Sequence, residues 1–263
     1  MLVTWRSQSV DVRESGAGAP VVLVHGYPLD GAMWSGVARL LATEFRVLKP
    51  DLPGRGATPG IASPSIDAYA EFIETLLEAL GAPAGLAGFS MGGYVALAVM
   101  RRRPDLVRAL ALVDTRAGAD DATGRAKRDE SIATIRSEGV QAIVAGTIEK
   151  LIAPASAKRA DLVERTRRMI LRQPPDTVVA DLTAMKERPD STEILPRMEI
   201  PTLVVVGEED VLTPPAESRA MFEAIPGAQL VTIAQAGHLT PVEQPRAVAA
   251  ALSVFFAGNL SDG

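Results

Sequence analysis

Between Leu86 and Met100 the chain reads LAGFSMGGYVALAVM. An apolar, strand-like run ends at Gly88, a helix-forming run begins at Met91, and Ser90 stands between them. Gly88 and Gly92 flank the serine two residues to either side. They remove Cβ atoms that would clash where a strand and a helix close on one another. A serine at the tip of such a turn usually takes backbone angles that cost about 1–3 kcal/mol. The pentapeptide G-x-S-x-G alone is a weak signal, but strand before and helix after give it weight. The context reads as a serine held out for chemistry, and as more than a tight connection.

On either side of this stretch, short apolar runs bounded by turn residues alternate with helix-length amphipathic segments. VVLVHG (21–26), FRVLKPD (45–51), GLAGFS (85–90), VRALALVD (107–114), TLVVVGEED (202–210) and QLVTI (229–233) all read as strands. Several are apolar on both faces, as in a parallel sheet covered by helices on each side. Residues 2–6 and 9–13 alternate more and are expected to form an antiparallel edge. Ile66, Tyr69, Ile73, Leu76, Leu77 and Leu80 follow helical spacing. Pro104 is expected to stop the helix after Ser90 at about Arg103. Val242, Val248, Ala251, Val254 and Phe255 suggest a final packed helix, and the polar tail AGNLSDG (257–263) is expected to fray.

The alternation breaks between about Thr115 and Pro189. That stretch has helical patterns over 132–135, 140–151, 162–171 and 178–185, many charges and no strand-like run. The simplest account is an α/β core formed by residues 1–114 and 190–263, with a helical cap inserted over 115–189.

Composition removes several function classes. The 263 residues are 47% hydrophobic, enough for a substantial core. A net charge of −5 offers no basic surface, so neither nucleic acid nor an anionic membrane is an expected partner. The absence of cysteine excludes disulfides, thiolate chemistry and Cys-type metal sites. The opening MLVTWRSQSVDVRES lacks the pattern of a signal peptide, and the apolar runs are too short to span a bilayer. A cytoplasmic location is expected.

A serine hydroxyl is a weak nucleophile and needs a base within hydrogen-bond reach. The chain holds two histidines. His25 ends the first buried strand and reads as a structural residue shaping the following loop. His238, in QAGHLTPVEQP, follows the last strand, where parallel sheets place functional groups. The imidazole in turn needs an acid. Asp210 closes the strand before it; Glu208, Glu209 and Asp114 are rivals, with Asp114 expected to anchor the start of the inserted segment. The order Ser90, Asp210, His238 is that of α/β-hydrolases. Attack on a carbonyl also requires two fixed donors for the oxyanion. The backbone N–H of Met91 is one candidate, and the loop after VVLVHG points to Tyr27 for the other.

Together, HGYPLDGAMW, DLPGRGATP, GFSMGG, GEEDVLTPP and AGHLTPVEQP make the chain resemble the α/β-hydrolase superfamily, from about Val21 to Phe256. Within it the likeness is to small bacterial carboxylesterases and 3-oxoadipate enol-lactonase-like hydrolases. The resemblance implies a mostly parallel eight-stranded sheet flanked by helices, with a helical cap between strands six and seven. It also implies Ser90 as nucleophile, Asp210 as acid, His238 as base, and Tyr27 and Met91 as oxyanion donors. Ser90 at the elbow separates the chain from relatives that use aspartate there. Ala57 departs from a common serine or aspartate at a turn position.

Leu29, Trp34, Met185 and Leu239 are candidates to line an apolar pocket, although each suits ordinary core equally, Trp34 most of all. Arg55, Arg116 and Arg125 could meet a carboxylate on a substrate, yet a structural turn and a solvated charged segment account for them more simply. The leading expectation is a serine carboxylesterase acting on small to medium esters, with no cofactor and no metal. Lactone hydrolysis or peroxide-dependent perhydrolysis would use the same parts. A receptor that keeps the same residues without turnover is the alternative of a different class. Substrate identity and oligomeric state are not written in the sequence.

Overall fold

In the computed structural model, which describes residues 1–260, the continuous apolar runs become the centre of a sheet. Nine strands are formed: β1 (Leu2–Trp5), β2 (Gln8–Asp11), β3 (Arg13–Ser15), β4 (Pro20–Val24), β5 (Arg46–Lys49), β6 (Ala84–Phe89), β7 (Val107–Val113), β8 (Thr202–Gly207) and β9 (Gln229–Ile233). The main sheet has seven strands in the order β3-β5-β4-β6-β7-β8-β9, all parallel except the β3–β5 pair. β6 and β8 are buried at every residue, which is why neither shows polar alternation. β1 and β2 form a separate antiparallel hairpin, turned through Arg6 and Ser7 at φ 48° and 64°. Two successive positive φ angles match the twist of a two-residue hairpin turn.

The main sheet thus has seven strands where eight were expected, because β1 and β2 pair apart from it. Only Val12 separates β2 from β3, and one strand bent there serves the hairpin with its first half and the main sheet with its second. On that count β7 is the sixth strand and β8 the seventh.

Among the described residues there are ten α-helices. α1 (Ser35–Leu41), α2 (Ile66–Ala79) and α3 (Met91–Arg102) precede β7; α8 (Pro215–Ala224), α9 (Thr240–Glu243) and α10 (Pro245–Leu260) follow β8. α2 starts where the Ser65 hydroxyl accepts the Ala68 N–H at 3.1 Å, and it buries Tyr69, Phe72, Ile73, Leu76 and Leu77. α3 is buried from Met91 through Met100; each large apolar side chain so covered contributes about 1.5–3 kcal/mol. It ends at Arg102, with Arg103 as its cap before Pro104.

Between β7 and β8 lie α4 (Ala122–Glu138), α5 (Gln141–Leu151), α6 (Ala160–Leu171) and α7 (Pro175–Lys186). Their apolar faces meet one another in the pairs α4–α7, α4–α5 and α5–α6. α7 is fastened to the rest of the chain by a buried polar cluster. The Arg55 guanidinium pairs with Asp181, both side chains fully buried, and the Tyr69 hydroxyl donates to the same carboxylate at 2.9 Å. Arg55 Nε also donates to the Leu29 carbonyl at 2.8 Å, and the Thr177 hydroxyl to that of Gly54 at 2.9 Å.

The C-terminal end differs from the periodicity in two places. The expected single helix is broken at Gln244, where Pro245 starts α10 without an N–H to continue α9. Val254 is 77% exposed, so it belongs to the outer face of α10. Residues 257–260 of the tail continue that helix, and the remainder lies outside the described residues. No helix among the described residues is long and apolar enough to cross a membrane.

Candidate active site

Ser90 sits at the tip between β6 and α3 with φ 52° and ψ −115°, a region that L-residues occupy only when their surroundings enforce it. Its N–H donates to the Val113 carbonyl at 2.9 Å, and its own carbonyl accepts the Thr115 hydroxyl at 2.8 Å. The turn is therefore clamped from β7. A Cβ on Gly88 would stand 2.3 Å from the Gly92 carbonyl oxygen, and one on Gly92 would stand 2.4 Å from that of Val24. Backbone occupies both spaces, so glycine is required at each.

His238 lies in the loop after β9, buried, with its ring 5.2 Å from that of Phe89. Its Nε2 is 2.8 Å from Ser90 Oγ and its Nδ1 is 2.8 Å from Asp210 Oδ2. Asp210 Oδ1 accepts the Leu212 and Thr213 N–H groups at 2.8 and 3.0 Å, and Oδ2 also accepts the Thr213 hydroxyl at 2.7 Å. A carboxylate that only accepts assigns the proton to Nδ1 and leaves Nε2 open to receive the serine proton. Burial pushes the Asp210 pKa up, but the nearby His238 charge and the donors from His238 and Thr213 outweigh it and hold it below the ordinary carboxylate range.

The rival acids point elsewhere. Glu208 and Glu209 are exposed, and Glu208 Oε2 faces the Gln235 N–H at 3.3 Å. Asp114 accepts the Gly207 N–H at 2.8 Å and pairs with the Thr240 hydroxyl. The expectation that it anchors the inserted helices is corrected: it joins β7 to β8 and to the helix that follows His238. Burial, reinforced by the Asp210 charge, raises its pKa well above the ordinary value. His25 has one local bond, Nδ1 3.1 Å from the Gly26 carbonyl, and one that reaches the loop after β5, with Nε2 accepting the Leu52 N–H at 3.0 Å.

Met91 is the first residue of α3, so its N–H has no acceptor within the helix. Tyr27 follows β4 in a loop closed by Leu29 N–H to the Gly26 carbonyl at 3.0 Å. Leu29, Trp34, Met185 and Leu239 are all buried, and Trp34 packs edge-on to Phe89 with ring centroids 6.3 Å apart. Of the three arginines, Arg55 is spoken for by Asp181, Arg116 by Asp120 at 2.5 Å, and Arg125 is exposed with Nε 3.3 Å from the Asp120 carbonyl. Among the described residues no group of three or more His, Asp or Glu side chains could hold a metal ion.

Thr213, Glu243 and the Arg55–Asp181 pair escaped the reading of the sequence. Thr213 and Glu243 lie inside two stretches that drew attention, VLTPP and AGHLTPVEQP, but nothing in their spacing says which atoms they meet.

A strained serine followed by an imidazole and an ionised carboxylate, on this sheet, defines a family. The chain belongs to the alpha/beta hydrolase family, whose sequence profile matches residues 21–251. It is 31% identical to the pimeloyl-[acyl-carrier protein] methyl ester esterase of Chromobacterium violaceum, over 86% of this chain and 90% of that one. A malate-bound thermophilic esterase from Thermogutta terrifontis superposes with a TM-score of 0.94 at 38% identity, covering 99% of each chain. The enol-lactonase of Burkholderia xenovorans LB400 shares the fold at 23% identity, with a TM-score of 0.88 over 98% of this chain and 100% of that one.

Proposed function

We propose that the protein is a serine carboxylesterase that cleaves small to medium esters through an acyl-enzyme on Ser90. The observation that carries this is the unbroken series Ser90 Oγ, His238 Nε2, His238 Nδ1, Asp210 Oδ2, with 2.8 Å at each junction. Likeness to a methyl ester esterase at 31% identity and to a second esterase at 38% supports esters as the substrate class.

In the reaction Ser90 Oγ attacks the ester carbonyl carbon while His238 Nε2 takes its proton. Asp210 stabilises the imidazolium that forms. The oxyanion is received by the N–H groups of Met91 and Tyr27, each donor of this kind being worth about 2.7–4 kcal/mol. Collapse breaks the bond to the alkoxy oxygen, and His238 returns the proton to the leaving alcohol. Water, deprotonated by His238, then attacks the acyl carbon and releases the acid and Ser90. Residues 115–189 act as a cap over this centre, held by Arg55–Asp181, with Leu29, Trp34, Met185 and Leu239 shaping the pocket beneath. Lactone opening would run through the same steps.

The test is a p-nitrophenyl ester series of increasing acyl length on the wild type and Ser90→Ala. Ser90-dependent turnover with a preferred chain length is expected. Absence of such turnover at every length leaves a ligand-binding protein instead.

A further inference from the structure

Glu243 ends α9 and is 2% exposed. Its two carboxylate oxygens are shared between separate parts of the chain. Oε1 accepts the N–H of Gly237, the residue before His238, at 3.0 Å. Oε2 accepts the N–H of Ala153, in the connection between α5 and α6, at 2.8 Å. The Ser156 hydroxyl bonds to the same side chain, and the Glu243 carbonyl accepts Arg159 Nη1 at 3.2 Å. On the other side of the histidine, the Leu239 N–H donates to the Leu151 carbonyl at 2.7 Å. Gly237 is closely enclosed as well: a Cβ there would stand 2.6 Å from Ala153 N, and one on Gly207 would stand 2.0 Å from the Gly237 carbonyl oxygen. The backbone on both sides of His238 is thus tied to residues 151–153, directly at Leu239 and through the Glu243 carboxylate at Gly237.

We infer that Glu243 is a positioning residue for His238, and that through its two oxygens it couples the imidazole to the inserted helical segment. The chemistry explains why the residue is a carboxylate. Gly237 and Ala153 each present an N–H, so both oxygens must accept; an amide would turn an NH2 toward one of the two donors. Charge-assisted bonds of this kind are roughly twice as strong as neutral ones. A shift of residues 151–156 then reaches Gly237 through one rigid group. The inference rests on the proposed role of His238 as base.

The experiment compares wild type, Glu243→Gln and Glu243→Asp, each normalised to folded protein by circular dichroism. Two quantities are read: kcat and KM on a p-nitrophenyl ester, and the downfield proton resonance of His238 Nδ1–H. Misplacement of a reacting group by about 1 Å lowers rates about 100-fold, so Glu243→Gln is expected to lose kcat on that order. KM should stay within about threefold of wild type, since the substrate's own contacts are untouched. The Nδ1–H resonance should weaken or shift, and Glu243→Asp, which keeps the charge, should recover part of both signals. A Glu243→Gln enzyme with wild-type kcat and an unchanged resonance overturns the inference. So does a loss matched by Glu243→Asp with the resonance unchanged. If Glu243→Gln does not fold, Glu243→Asp decides alone: a wild-type resonance and kcat there overturn it. The resonance needs no substrate, so a wild type without ester turnover defeats the proposed function while still reporting on Glu243.

Discussion

Ser90, His238 and Asp210 come from three different strand ends, and each is fixed by bonds that take no part in the proposed chemistry. The clamp from Val113 and Thr115 holds the serine backbone, while Leu212 and Thr213 hold the carboxylate. These residues were legible because serine chemistry needs one base and one acid, and the chain has only two histidines. The partner of Asp114 was not legible: Thr240 lies 126 residues away, and only the folded sheet brings them together. Two substitutions separate the acids. Asp210→Asn is expected to lower kcat severely, by about 10⁴ if it follows the serine-protease example. Asp114→Asn should cost far less, because its carboxyl meets Gly207 and Thr240 and not the imidazole. Steady-state kinetics on one ester checks both, and a larger loss for Asp114→Asn would reassign the acid.

Among the elements, the strands read most clearly, because their apolar runs are of strand length and bounded by turn residues, as in the middle of a covered sheet. The bend at Val12 left no such mark, since Arg13–Ser15 beyond it is polar and exposed throughout and carries no strand-like apolar pattern. The break before α10 did leave one: Pro245 forbids a continuous helix, yet the apolar spacing across it hid the interruption. α7 illustrates the limit of periodicity. Its spacing locates a helix, but Asp181 finds its partner Arg55 126 residues earlier. Removing one member of a buried ion pair strands the other, at about 3–5 kcal/mol. Asp181→Ala is therefore expected to lower stability by about that much in urea unfolding. Arg55→Met with Asp181→Leu should recover most of the loss, as apolar replacement of such pairs often does. Equal destabilisation by single and double variants would show that the Tyr69 and Leu29 contacts matter more than the charges.

For the whole molecule, acid acts on the core through His25. Burial, with the Arg55 charge nearby, pushes its pKa down from 6.5 to about 3. The unfolded chain takes up this proton near the ordinary value while the folded chain refuses it. Between those values the unfolded state holds one more proton at this site. The contribution to stability is thus present above about pH 6.5 and is lost progressively as pH falls toward 3, by up to about 1.4 kcal/mol per pH unit. Urea titrations from pH 7 to pH 4 should show a steeper fall for wild type than for His25→Asn; identical slopes would remove His25 as the cause.

In the proposed reaction Ser90 becomes covalently acylated. Rapid mixing with p-nitrophenyl acetate, followed by acid quench and peptide mass analysis, tests it directly. One acetyl group is predicted on the peptide containing Ser90, formed as nitrophenolate is released and absent from Ser90→Ala. Turnover that persists in Ser90→Ala, or an acetyl group found only on another residue, would rule out Ser90 as the nucleophile.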